Sequence, residues 1–267
     1  MNKKITLFAY VNAIAGIAAE LAGSLPFGDQ LTLHTVRNFF EGFWLDILDF
    51  RLLYWNYLNG FNLLANILLL LGAQQFSRSG GKKSRLLSYT LAVLMISSTF
   101  SLIEVAFFSS FWLTAILNGL KCAALAWFSW VSLRHLSNTR EPDAASNSNE
   151  GQRALNWLID TTTIFLAFTP YMFVSNLLRS YMSMVIFLVI ARLIYYIFFE
   201  ITLRATPGKL ATGTEVMSSD ELLPNPVQIV VRTLCRFIPF EALSFFVTQG
   251  GHDTLSQTKV VNSKQIE

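Results

Sequence analysis

Apolar runs of membrane-spanning length recur along this chain, and they limit its fold more than any other feature. Crossing the hydrocarbon core takes about 20 mostly apolar residues in a helix. Such runs occupy 5–24, 52–74, 87–109, 112–134, 155–178 and 181–203. Of the 267 residues 53% are hydrophobic and only 14% charged, against about 25% charged in globular chains. The expected fold class is all-α: a polytopic helical membrane protein with six transmembrane helices. A seventh apolar segment, 227–248, contains Arg232, Arg236, Pro239 and Glu241. It reads as amphipathic or re-entrant rather than as a clean span. The first run follows Lys3 and Lys4 and carries Ala13 and Ala15 in a small-x-small pattern, as a signal peptide does. Its length favours an uncleaved helix.

Basic residues set the orientation. Eleven of them, from Lys3 through Arg78, Arg134 and Arg153 to Lys209, fall on one side of the spans, against three (Arg37, Arg51 and Arg179) on the other. The positive-inside rule then places the N-terminus and the loops near 80, 145 and 215 in the cytoplasm. The expected location is the plasma (inner) membrane, multi-pass, with the C-terminus also cytoplasmic if 227–248 does not cross. Residues 137–152, SNTREPDAASNSNEGQ, nearly lack large apolar side chains and read as a flexible cytoplasmic linker. The expected organisation is a four-helix region at 1–136, this linker, a membrane domain at 153–262 and a tail at 263–267. Residues 25–51 form a long outer loop rich in Phe and Trp, expected to lie in the interface.

Ionisable groups at membrane depth are costly and mark function by default. Arg153 and Asp160 are seven residues apart, so they share a helix face about two turns apart. The next helix returns antiparallel after a short turn. That brings Glu200 level with Arg153, and Arg192 near the depth of Asp160. Two ion pairs are expected, Arg153 with Glu200 and Asp160 with Arg192. They either lock two helices together or line a polar pocket for a monovalent cation or proton. Glu104 and Lys121 are expected to pair across a hairpin as a structural salt bridge. Asn59, Asn62 and Asn66, with Asn56 a turn earlier, line one face of the second span, where asparagines usually bond a neighbouring helix.

Several function classes find no support. The net charge of +3 comes without a basic stripe interleaved with aromatics, so no nucleic-acid partner is expected. Cys122 and Cys235 lie far apart in apolar context, which argues against a disulfide framework or zinc site. The dipeptide His252-Asp253 has no second ligand cluster near it, and His34 and His135 lie elsewhere. There is no P-loop, no GxSxG and no dinucleotide fingerprint. The expectation is a non-enzyme with no metal and no cofactor.

The C-terminal residues carry a familiar series: RALNWLID (153–160), a glutamate at 200, TPGKLATGTEV (206–216), VVRTLCRF (230–237) and HDTLSQTKVV (252–261). Together they resemble the RDD family of membrane proteins over about residues 150–262. The family takes its name from one arginine and two aspartates, which match Arg153, Asp160 and Asp253. The resemblance implies transport of an ion or small solute. The implied ligand or ion site is Arg153, Asp160, Glu200, Lys209 and Asp253. Arg192 departs from the pattern by placing a countercharge near Asp160. The alternative is a non-transporting scaffold or regulatory assembly factor. The bilayer is the expected partner, and a homodimer the expected assembly. TGTEV and TKVV read as short extended strings near the membrane surface. A return of 227–248 would bring Asp253 back beside Arg153 and Lys209.

Overall fold

A computed structural model of the protein describes residues 1–24, 50–108, 112–174, 181–237 and 251–265. Most of the expected outer loop, 25–49, lies outside them. Helices occupy all six places where apolar runs predict spans: α1 (Asn2–Ser24), α2 (Phe50–Arg78), α3 (Arg85–Phe108), α4 (Trp112–Asn138), α5 (Glu150–Val174) and α6 (Tyr181–Leu203). Three stretches of the described residues, Arg85–Leu102, Ile116–Asn138 and Val185–Leu203, are long and apolar enough to cross a membrane. The outer face of α6 is apolar and exposed at Ile186, Ile190 and Ile194, as a helix facing hydrocarbon requires.

The chain divides into two compact units, Met1–Gly81 and Lys82–Glu267. In the first unit α1 lies on α2. Ile5, Ala9 and Ala13 are buried at helical spacing, as are Leu69, Ala73 and Phe76. Small residues let two helix backbones approach closely. A Cβ added at Gly16 would lie 2.4 Å from the Asn66 amide. Asn66 thus meets the neighbouring helix, as expected. The side chains of Asn56, Asn59 and Asn62 lie outside the described residues, and so does that of Glu104, the expected partner of Lys121.

In the second unit the helical hairpin α3–α4 is tied to the RDD-like part rather than set off from it. The Tyr89 and Thr163 hydroxyls are 3.4 Å apart. Ser137 donates to the Leu203 carbonyl at 3.2 Å, and Trp130 packs on Phe198 with ring centroids 5.5 Å apart. These contacts join α3 and α4 to α5 and α6 within the second unit.

The all-α expectation needs correction, because the chain also forms a three-stranded antiparallel sheet of order β1-β3-β2. The strands are β1 (Arg140–Asn147), β2 (Thr214–Ser218) and β3 (Thr258–Gln265). The extended strings expected at TGTEV and TKVV become β2 and β3, with Val216 opposite Val260 and Glu215 opposite Val261. The flexible linker is the other correction. Its residues form β1, which pairs Arg140 with Gln265 and Pro142 with Ser263, then shifts register before Asn147. A polar, proline-bearing stretch makes a poor central strand but a sound edge strand, because charge and proline block further pairing. Past the strand, Asn149 and Gln152 bond reciprocally, Gln152 N to Asn149 Oδ1 at 2.7 Å and Asn149 N to Gln152 Oε1 at 3.0 Å. This capping box starts α5.

Short helices flank β2, α7 (Pro207–Thr212) before it and α8 (Pro226–Cys235) after it. Asn225 and Gln228 form the same box at the start of α8. The amphipathic expectation for 227–248 holds over α8: Val227 and Leu234 are exposed, whereas Ile229, Arg232 and Thr233 are buried. The charge faces inward and the apolar side outward. The chain re-enters at α9 (Gly251–Leu255).

Candidate functional site: a buried charge cluster beside an anchored carboxylate

The turn Thr206-Pro207-Gly208-Lys209 assembles the site, and each residue has a separate physical task. Thr206 is the N-cap of α7, with extended φ and ψ, and proline follows at the first helical position, where its missing N–H costs nothing. Gly208 lies so close to α5 that a Cβ there would sit 2.5 Å from the Asn156 carbonyl oxygen. Backbone cannot step aside, so only glycine fits. Gly213 ends α7 in the left-handed region at φ 73°, where glycine carries no steric penalty.

This close approach anchors Asp160. Gly208 N donates to Oδ1 at 2.7 Å, the Tyr195 hydroxyl to Oδ1 at 2.7 Å and the Thr206 hydroxyl to Oδ2 at 2.6 Å. Asp160 is only 2% exposed. One turn earlier, Asn156 donates to Thr214 Oγ1 at 3.0 Å and accepts from the Thr212 hydroxyl at 2.5 Å. The carboxylate therefore ties α5 to α6 and α7. The expected pair with Arg192 is not what forms. Tyr195, three residues on, takes that place, and the Arg192 guanidinium lies 5.7 Å from the centroid of the Tyr196 ring.

Next to this anchor lies a cluster of charges. Glu200 is fully buried and faces three cations. Lys209 Nζ is 2.5 Å from its Oε1, Arg236 Nη2 2.8 Å from Oε1, and Arg232 Nε 3.6 Å from Oε2. Asp253 receives Arg153 Nη1 at 3.0 Å and Arg232 Nη1 in close contact. Arg232 also donates to Thr258 Oγ1 at 2.6 Å, at the start of β3. Arg236 stacks over Tyr196, 4.2 Å from the ring centroid, a favourable cation–π arrangement. Burial pushes the Lys209 ammonium down to about 8, while Glu200 opposes that shift.

Four of the five expected site residues meet here: Arg153, Glu200, Lys209 and Asp253. Asp160 sits beside them through Gly208. The expected pairing of Arg153 with Glu200 is replaced by Arg153 with Asp253, and Arg232 of α8 bridges Asp253 and Glu200. Neither Arg232 nor Arg236 was expected at the site, although their four-residue spacing in VVRTLCRF places them on one helix face. The bonds of Arg236 to Glu200 and of Asp253 to Arg153 bring both ends of 237–252 to the same cluster.

A second buried group lies at the sheet. Glu215 is 1% exposed, with Arg204 Nε 3.7 Å from its Oε2. Burial raises the Glu215 carboxyl above its usual range, against Arg204 and Arg140. Arg140 bonds the Ser88 hydroxyl at 2.6 Å, and burial lowers its guanidinium to about 10. Strand β1 is thereby held to α3. Among the described residues no three His, Cys, Asp or Glu side chains are grouped to hold a metal ion. The His252 side chain lies outside them.

Membrane-length apolar helices, a helix with its apolar side turned outward and buried charges gathered at the helix ends define a helical membrane protein. Residues 149–252, in the C-terminal part of the chain, match the sequence model of the RDD family. Arg153, Asp160, Glu200, Lys209, Arg232 and Arg236 all lie within the match, and Asp253 falls one residue beyond it. No curated protein and no solved structure matches the chain.

Proposed function

We propose that this is a multi-pass protein of the plasma (inner) membrane with an assembly or regulatory role, whose RDD region forms a charge-locked platform on the cytoplasmic side. The observation carrying this reading is the state of Asp160. Its carboxylate already accepts three hydrogen bonds from its own fold at 2.6–2.7 Å. A group so engaged acts as a tether, because a migrating cation would have to displace donors that hold three elements together. Glu200, facing three cations, is equally committed. The role is non-enzymatic, and no cofactor is invoked. The excess of basic residues supports a cytoplasmic N-terminus, and the return of the chain to Asp253 supports a cytoplasmic C-terminus. A homodimer is the proposed assembly.

Transport of an ion or small solute is the second reading, favoured by the charged Glu200 near the end of a membrane-length apolar helix. Flux assays in proteoliposomes separate the two. Wild type and Asp160→Asn are compared across sodium, potassium and proton gradients. The scaffold reading expects no saturable flux from either protein and a less stable Asp160→Asn. Saturable cation flux in wild type that disappears in a folded Asp160→Asn would reject it in favour of transport.

A further inference from the structure

The last turn of α8 sits beside a candidate membrane span. α8 packs on α6. Its Arg236 reaches Glu200 at 2.8 Å and lies over the Tyr196 ring, 4.2 Å from the centroid. Tyr196 precedes Leu203, the last residue of the span Val185–Leu203, by seven residues, a rise of about 10 Å. The other end of α8 is held at the sheet. Gln228 donates to Ser218 Oγ at 3.2 Å and to the Gln257 carbonyl at 3.4 Å. With both ends tied, α8 runs from the sheet towards the span, and its outer face has a fixed direction.

That outer face is apolar. Val227, Val231 and Leu234 share it at helical spacing and are 65%, 36% and 53% exposed. Ile229, Arg232 and Thr233, on the other side, are buried. An ordinary interfacial helix turns its charges to water. Here the bases face inward and are paired, Arg232 with Glu200 and Asp253, and Arg236 with Glu200. No charge on the outward surface holds it at the water side. The helix it adjoins, α6, is itself exposed and apolar at Ile190, Ile194, Phe198 and Ile201. Ahead of α8, Leu222 and Leu223 are exposed as well, whereas the exposed Glu221 pairs with Lys259.

We propose that α8 is partly embedded in the lipid of the bilayer that α6 crosses. Leu234 and Val231 lie in the acyl region, Val227 and Leu223 at its edge, and Glu221 in water. Lipid covers this face rather than a second copy of the chain, because three partly exposed aliphatic side chains offer less than the roughly 800 Å² per partner that a stable protein interface takes. The inference rests on α6 spanning the membrane, and holds whether the protein transports or assembles.

The test uses the full chain in phosphatidylcholine liposomes, with Cys122 and Cys235 replaced by alanine. Single cysteines at Leu223, Val227, Val231, Leu234, Ile190 and Lys264 carry a nitroxide. Spin relaxation then compares collisions with oxygen, which enters lipid, and with a water-soluble nickel chelate. Oxygen is expected to dominate at Leu234 and Val231 as at Ile190, with the ratio falling through Val227 and Leu223 and reversing at Lys264. Nickel dominating at Leu234 and Val231 overturns the proposal, and so does shielding of both sites from both reagents, which would mean a protein cover. If Ile190 still reports lipid, α6 remains a span and only the embedding of α8 falls. If Ile190 reports water, both fall. Should a labelled variant fail to fold, the wild type is irradiated with phosphatidylcholine bearing a photoreactive acyl chain. Adducts within 227–234 support the proposal, and adducts on α6 without any there reject it.

Discussion

Single side chains here are committed to more than one partner, so their removal is felt at several elements. Asp160 bonds donors from α6 and α7. Asp160→Asn keeps the size but turns one acceptor into a donor facing N–H and O–H groups, and is expected to cost about 2–4 kcal/mol, read as a lower denaturation midpoint in detergent. Glu200→Gln removes the charge that three cations face, and is expected to cost about 3–5 kcal/mol, as breaking a buried pair does. Lys209 gives a pH signature. Its folded value of about 8 lies below its ordinary 10.5. Between these values the unfolded chain holds the proton and the folded one does not. This group's contribution to stability therefore rises as pH increases from about 8 to 10.5. Unfolding followed across that range should show the rise in wild type and lose it in Lys209→Met.

Short elements derive their precision from the residues at their ends. Helix α7 has only six residues, too few to stand alone, and is held by its cap, its glycines and its contact with α5. Thr206→Ala loses the cap, at about 1 kcal/mol, and a hydrogen bond to Asp160. Thr206→Ser should restore most of both, with circular dichroism melts as the readout. Gly208→Ala is expected to be worse than either, since its Cβ would meet the Asn156 carbonyl. Much of this was legible beforehand: TPGK as a turn, TGTEV and TKVV as extended, and the helical places of the six apolar runs. The strand in SNTREPDAASN was not. Its alternation is poor and its composition polar, so the stretch has no intrinsic preference that a local reading can detect. It becomes a strand only because β3 offers it an unpaired edge.

At the scale of the whole molecule, the second unit is closed by its last strand. β3 is the central strand and pairs with both β1 and β2, so removing residues 258–267 unpairs both neighbours. Such a truncation is expected to leave the helices inserted but make residues 140–147 protease-sensitive, as limited proteolysis in membranes will show. A topology reporter after Glu267 is expected on the same side as one in the loop at 79–84. A reporter on opposite sides would reject the return of the chain to Asp253. The sequence by itself determined the helical membrane class, the helix positions and the RDD resemblance, because apolar length and motif order are local properties of the chain. It also placed Arg153, Glu200, Lys209 and Asp253 together. The tertiary structure decided which charge meets which. Arg153 reaches Asp253, Asp160 is met by Tyr195, Thr206 and Gly208, and Arg232 and Arg236 complete the cluster. Pairing at membrane depth depends on which helix face turns inward and which short element fits between. Packing against distant parts of the chain fixes those choices, and no single stretch of residues encodes them.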